Sequence, residues 1–253
     1  MPGGDRRGPP RGRPAPGPLG GTTVILIAAG EATRWGGHLG VRKHFAPVDG
    51  EPVLARAVRL FEARGATVFV VGKAGEGYEA AGGILYVPAF DPGNAEADKF
   101  LNSRSLWNPT GRTVVAYGDV YFTEAAVDRI AGHAAREWTL FGRSAGSALT
   151  GCPWGECFAQ SFWPEHVAEH VAALHRVVAL RTAGGLDRCG GWEHYRAMLG
   201  VPDAELSRHV VRDRFVEVDD WTDDFDHPED YDRFLLRRAR RGRGPGGPPA
   251  PPS

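Results

Sequence analysis

Apolar residues fall along the chain in two kinds of run. The first is short and unbroken: Val24 to Ala29 closed by Gly30, Thr67 to Val71 closed by Gly72, and the run from Thr113 ended by Gly118-Asp119, with Val120-Tyr121-Phe122 following. Runs of this length, rich in β-branched residues and bounded by glycine, read as strands buried on both faces. Ile84 to Pro88, Trp138 to Arg143 and Arg214 to Asp220 read as further strands, and Gly151 to Ala159 as a turn entering a strand or hairpin. The second kind has helical spacing. Val53, Leu54, Ala57, Val58, Leu60 and Phe61 mark a helix over 52–64 with Gly65 as its C-cap, and Thr123 caps another that runs to Ala135. Val167, Val171, Leu174, Val177 and Val178 line one side of a helix over 164–180, and Trp192 to Leu199 forms a shorter one. Strands alternating with helices through short connections predict an α/β fold. Its sheet is doubly wound, mixed and mostly parallel, in a single domain, with Val24–Ala29 near the centre.

Composition trims this picture at both ends. Of 253 residues, 1–20 and 239–253 are rich in Pro, Gly and Arg without apolar periodicity. They are expected to be disordered tails around a domain over 21–238. The net charge of −1 hides basic tails, with Arg6, Arg7, Arg11, Arg13, Arg240, Arg241 and Arg243 against Asp5, on an acidic body. With no aromatic interleaving and no nucleic-acid motif, these arginines read as solvated, and no nucleic-acid partner is expected. The first apolar run starts at Val24 and is too short for a secretory or membrane segment. Cys152, Cys157 and Cys189 have no zinc-site spacing and read as reduced thiols. Together these point to a soluble cytoplasmic protein. Only three lysines occur, Lys43, Lys73 and Lys99, among 30 basic residues. That scarcity makes each retained lysine a better candidate for a specific task.

Candidate chemistry gathers at three places. After the first strand comes a polar, glycine-rich loop carrying Arg34 and Lys43. Small residues there let backbone N–H groups approach an anion, and two cations neutralise phosphate charge. Asp119 ends an apolar strand and serves either as a turn or helix cap or as a carboxylate ligand. Seven carboxylates lie from Asp219 to Asp230, and Pro228 opens a helix there with Glu229 and Asp230 in its first turn. The cluster is a solvated acidic loop or a site whose repulsion a bound cation relieves. His166 and His170 have a permitted metal spacing, but without a zincin glutamate they and His175 read as surface histidines. Trp154, Phe158, Phe162 and Trp163 read as core, with a quaternary-ammonium site as the other use of such a cluster.

The motifs resemble those of the nucleotidyltransferases that couple an NTP to a phosphorylated small molecule, the sugar-phosphate nucleotidylyltransferases and MobA-like enzymes. The resemblance lies in Ile27-Ala28-Ala29-Gly30, Thr33-Arg34-Trp35-Gly36, Lys43, and Pro47-Val48-Asp49-Gly50-Glu51-Pro52-Val53-Leu54. It continues in Gly118-Asp119 with Phe122 and in Asp226-His227-Pro228-Glu229-Asp230-Tyr231. Two positions depart: Ala32 stands where the second loop glycine is usual, and Arg42 replaces the proline before the lysine. Ala32 is expected to leave less room over a triphosphate.

The resemblance implies a Rossmann-like, GT-A-like fold and transfer of NMP from an NTP, CTP slightly favoured. The acceptor would be a phosphorylated or phosphonate small molecule such as a sugar phosphate, and pyrophosphate would leave. It implies Arg34 and Lys43 as catalytic cations and Asp119 and Asp226 as Mg²⁺ ligands, with Asp224 in reserve. Ala28, Ala29, Gly30, Glu31, Thr33 and Gly118 become nucleotide-contact candidates, joined by Asn102, Ser103 and Ser105, for which a helix cap is the alternative. Arg143 and Glu156 fall where relatives hold the acceptor. A GT-A glycosyltransferase, for which Asp224-Phe225-Asp226 has the spacing, and a non-catalytic nucleotide-binding module are the competing readings. The partners implied are NTP and acceptor, with no membrane and with a homodimer allowed.

Overall fold

The computed structural model describes residues 18–89 and 96–242. In chain order the elements are β1 (Thr23–Ile27), β2 (Pro47–Val48), β3 (Glu51–Pro52), α1 (Val53–Glu62), β4 (Thr67–Val71), β5 (Ile84–Tyr86) and α2 (Glu96–Asn102). There follow β6 (Thr113–Tyr117), β7 (Val120–Tyr121), α3 (Glu124–Gly132), β8 (Thr139–Arg143), β9 (Glu156–Phe162) and α4 (Val167–Thr182). The chain closes with α5 (Gly191–Met198), β10 (Phe215–Glu217), β11 (Asp223–Asp224) and α6 (Pro228–Gly242). Of the expected tails 1–20 and 239–253, residues 1–17 and 243–253 lie outside the described residues, as do 94–95 of the polar segment before α2. Leu19 does not belong to a tail: it is fully buried, and its N–H donates to Arg64 O at 2.9 Å. At the other end α6 runs past the expected boundary at residue 238.

Seven strands form one sheet in the order β10-β8-β9-β6-β1-β4-β5. β1 pairs parallel with β4 and β6, β4 with β5, and β10 with β8, whereas β9 runs antiparallel to both β6 and β8. Side chains of a strand alternate between faces. Accordingly Val24, Leu26 and Ala28 join a core with Leu54 and Phe61 of α1 and Val127 and Ile130 of α3. Ile25, Ile27 and Ala29 join a second core with Phe100 of α2, Leu174 of α4 and Tyr195 of α5. Two buried faces account for the unbroken apolar run of β1, with each Val, Ile or Leu side chain contributing about 1.5–3 kcal/mol on burial. Thr123 caps α3 as expected, its Oγ1 accepting from Ala126 N at 3.0 Å.

Some packing differs from the sequence reading. The strand from Thr113 ends at Gly118-Asp119 as expected, and a separate short strand, β7, follows the turn. β10 is shorter than Arg214 to Asp220, since Arg214 adopts φ 58° and breaks the extended run. Phe158 and Phe162 are core, but Trp154 is 70% exposed and Trp163 lies half-buried under the Arg136 guanidinium, 4.2 Å from its ring centroid. His170 is not a surface histidine: α4 turns His170, Ala173, Leu174 and Val177 inward at helical spacing. Its fully buried ring lies 4.3 Å from Phe162, 4.9 Å from Trp107 and 4.8 Å from His194 between ring centroids.

Burial holds His170 well below its ordinary pKa, with the neighbouring His194 adding to the effect, and burial lowers His194 to about 3. Both rings stay neutral in the fold while the unfolded chain takes up protons near pH 6.5, so the unfolded state binds more protons as pH falls below that value. Stability is therefore full above pH 6.5 and declines toward pH 3, by up to about 1.4 kcal/mol per pH unit for each ring. Urea unfolding across this range should show the decline, and His194→Phe should make it shallower.

Candidate active site

All the parallel strands end at one edge of the sheet, and the loops after β1, β4 and β6 open there together. β9 runs the other way, so its first residue, Glu156, starts at this same edge. Gly118 follows β6 because a side chain does not fit: a Cβ there would lie 2.9 Å from that of Ala28 and 3.1 Å from Ile27 O. This close approach sets Asp119 directly beyond the end of β1. Asp226 arrives by a different route than a sheet strand. β11 pairs antiparallel with β7, Asp224 opposite Val120, and this small ribbon carries Asp226 alongside Asp119.

Lys43 joins the two carboxylates. Its Nζ pairs with Asp119 Oδ2 and lies 3.1 Å from Asp226 Oδ1, with side-chain exposures of 12%, 17% and 26% for the three residues. Burial alone would lower the Lys43 ammonium, but Asp119, Asp226 and Asp224 hold it well above its ordinary value. Burial would raise the Asp119 carboxyl, but the charge of Lys43, His44 and the hydrogen bond from Lys43 bring it down to about 2. Arg34 reaches Asp226 Oδ2 at 2.8 Å from an exposed position. The loop between β1 and Lys43 is closed by Trp35, whose buried indole donates from Nε1 to Val41 O at 2.8 Å and His38 O at 3.1 Å. A third apolar cluster, Trp35, Val48, Tyr121, Phe225, Tyr231 and Phe234 among its members, binds this loop to the β2–β3 hairpin and α6.

Two more carboxyls stand beside the pair. Burial, reinforced by Glu156, Asp226 and Asp119, holds Asp224 well above the usual carboxylate range. Burial also pushes Glu156 up to about 7, with Asp226 and Asp223 adding and the Cys152 hydrogen bond and Arg143 opposing. Cys152 Sγ donates to Glu156 Oε1 at 3.0 Å, and its thiol is pushed up to about 12 by burial. Among the described residues no group of three or more His, Cys, Asp or Glu side chains is set to hold a metal ion by itself. Arg143 lines a cleft of about 610 Å³ together with Ser147, Asp220 and Trp221, but its charge is already paired. It is buried and donates to Asp223 Oδ1 at 2.8 Å and Thr222 O at 3.2 Å. It acts on the site by anchoring β11.

The remaining candidates divide. The backbone of Ala28 is already engaged: its N–H donates to Val71 O at 2.9 Å, and its carbonyl accepts from Tyr78 Oη at 2.7 Å. Tyr78 also lies 3.3 Å from His44 Nδ1, which braces the residue next to Lys43. Ala29 is buried and Gly30 half-buried at the strand end, whereas Glu31 and Thr33 are exposed on the loop. Ser103 is fully buried, donating to Phe100 O at 2.7 Å and accepting from Trp107 Nε1 at 3.2 Å, so its hydroxyl serves the packing of α2. Ser105 donates to Tyr86 Oη at 3.1 Å, and Asn102 is half-buried at the end of α2. The other two lysines, unassigned by sequence, also come here. Lys73, just after β4, pairs with Glu31 Oε1 at 2.5 Å, and Lys99 of α2 comes over Gly30. Their rarity in the composition was the available signal. Beside the loop a cleft of about 360 Å³ is lined by Glu31, Ala32, Trp35, Gly37, Gly40, Val41 and Arg42.

A cationic, glycine-rich loop after the central strand, faced by carboxylates at the same sheet edge, defines a nucleotidyltransferase of Rossmann-like fold. Residues 24–188 match the MobA-like NTP transferase domain, and the chain belongs to that family. Among solved structures it is similar to the inositol-1-phosphate CTP transferase from Thermotoga maritima, at 12% identity and TM-score 0.58, over 90% of this chain and 98% of that one. It is also similar to the CTP:phosphocholine cytidylyltransferase from Streptococcus pneumoniae, at 15% identity and TM-score 0.51, over 85% and 99%. A nucleotidyl transferase from Methanothermobacter shares 19% identity at TM-score 0.53, over 87% and 98%. Among curated proteins no sequence matches the chain.

The loop position where the family usually has glycine is conformationally strained in this chain. Ala32 takes φ 51° and ψ 36°, the left-handed region, while its side chain packs against the third cluster. Left-handed geometry costs an L-residue about 1–2 kcal/mol, part of which the flexibility of unfolded glycine offsets. Ala32→Gly should therefore raise stability by up to about 1 kcal/mol, read as a higher urea midpoint at an unchanged slope.

Proposed function

We propose that this nucleotidyltransferase moves a nucleoside monophosphate from an NTP to a phosphate or phosphonate oxygen of a small acceptor such as a sugar phosphate. The observation that carries the reading is Lys43 seated between Asp119 and Asp226 with Arg34 at its side. This arrangement joins phosphate-binding cations to carboxylates that converge on a single positive charge. The convergence fits Mg²⁺. The pair already closes on one cation and offers hard oxygen donors, and Mg²⁺ commonly takes one or two carboxylates together with substrate phosphates. Held by Asp119 and Asp226, Mg²⁺ would supply charge neutralisation across the phosphates.

The chain's own residues do the rest. An acceptor oxygen attacks the α-phosphorus in line, a new P–O bond forms, and the bond to the bridging oxygen of the β-phosphate breaks to release pyrophosphate. Arg34 and Lys43 receive charge developing on the α-phosphate and the leaving group. The acceptor phosphate is largely ionised near pH 7, so no general base is required. Glu156 and Asp224, at the same edge, face the acceptor side in this reading. CTP is the favoured donor, supported by the CTP-linked names of two similar structures.

Pyrophosphate release, assayed with each of the four NTPs against sugar, alcohol and phosphonate acceptors, tests the proposal. Turnover is expected with at least one pair. Consumption of a nucleotide-sugar with no pyrophosphate from any pair would overturn it. Asp119→Asn and Lys43→Ala should each lower kcat by about 100-fold or more; an unchanged rate in either removes that residue from the mechanism. EDTA should abolish turnover and added Mg²⁺ restore it, as followed in the same assay.

A further inference from the structure

All three lysines of this arginine-rich chain converge on the loop after β1, and two have evident partners. Lys43 is held by Asp119 and Asp226, and Lys73 pairs with Glu31, cancelling a negative charge that would repel an anion at the loop. The arginines nearby are engaged too, Arg34 with Asp226 and Arg42 with Glu76 at 2.7 Å. Lys99 differs. It is half-buried on α2, and among the described residues it makes no hydrogen bond or ion pair, although its charge is felt at Glu31 and His44.

Its position is specific. A Cβ placed on Gly30 would lie 3.6 Å from Lys99 Nζ, and among the described residues no other non-neighbouring atom comes within 4 Å of that point. Among the described residues glycine thus leaves space over the backbone at the strand end, and the ammonium borders that space. Three N–H donors and no acceptor match an oxygen, not a donor group. A lysine on a merely solvated face would point away from the loop; this one is turned toward the edge where Lys43 and Arg34 gather.

We propose that Lys99 is a nucleotide-contact residue whose ammonium, over Gly30, donates to an oxygen of the bound NTP, either a phosphate oxygen or a carbonyl of the base. The inference rests on the nucleotidyl-transfer reading and adds to it a cation that the sequence motifs do not contain. It also replaces Ser103, which follows α2 and is committed to packing, with a residue of α2 itself as the nucleotide-contact candidate of this segment.

Calorimetric titration of the full-length protein in Mg²⁺ buffer with each NTP and with inorganic tripolyphosphate tests the assignment. Lys99→Met and Lys99→Gln should each weaken binding of the productive NTP by about tenfold or more. The KM of the acceptor should stay unchanged, and Lys99→Arg should recover part of the loss. An equal loss for tripolyphosphate supports a phosphate oxygen; a loss confined to nucleotides, with discrimination among bases reduced, supports a base carbonyl. Wild-type NTP affinity in both Met and Gln variants would overturn the inference while leaving the transferase reading intact. A wild-type protein that binds no NTP would overturn both. Lys99 has no described partner to lose, so the melting temperature of the variants should match wild type and separate a binding defect from unfolding.

Discussion

The Lys43 ammonium, lodged between Asp119 and Asp226, is the interaction on which the rest of the structure depends. A buried ammonium or a buried carboxylate alone is unfavourable, and two carboxylates side by side repel; the triplet is tolerated because each charge answers another. Holding it requires three separate segments in register. Gly118 lets β6 approach β1 closely enough to set Asp119, the β7–β11 ribbon delivers Asp226, and His44 with Tyr78 fixes the backbone next to Lys43. Behind the ribbon, Asp223 is clasped by Arg143 at 2.8 Å, so a buried ion pair steadies this edge of the sheet indirectly.

The central strand, the helix after it, the capped α3 and the edge at which the loops open were legible because each follows from local pattern. β1 is apolar throughout since both its faces are covered, and α1 shows its inward stripe plainly. Less visible were features set by tertiary contact. The reversal of β9, which brings Glu156 to the active edge, leaves no mark in periodicity. His170 looks polar in sequence, yet α4 turns it into the core with Leu174. Ser103 has the chemistry of a ligand contact or cap but is spent on Phe100 and Trp107. Arg143 stands at the right strand end, and only the contact with Asp223 reveals where its charge goes.

The site also shows why carboxyls at one edge differ in behaviour. Asp119 is held at about 2 by contact with Lys43, whereas Glu156, without a cationic partner as close, rises to about 7. The two lie at one sheet edge and differ in neighbours more than in depth. The edge thus runs from a strongly ionised carboxylate beside Lys43 to one that burial raises toward neutrality.

The partners in the central triplet are remote along the chain: Lys43 and Asp226 are separated by 183 residues. Domains made on the ribosome emerge from the amino end first. A nascent chain would therefore display the loop after β1 and, later, Asp119 well before the second carboxylate exists. Until the ribbon of β11 docks on β7, Lys43 has one partner, and Trp35 lacks Phe225 and Tyr231 from its cluster. Assembly of the active edge is thus tied to the closing stage of synthesis, and an interrupted product ending before β11 would carry the loop's cations without the full set of carboxylates that balances them.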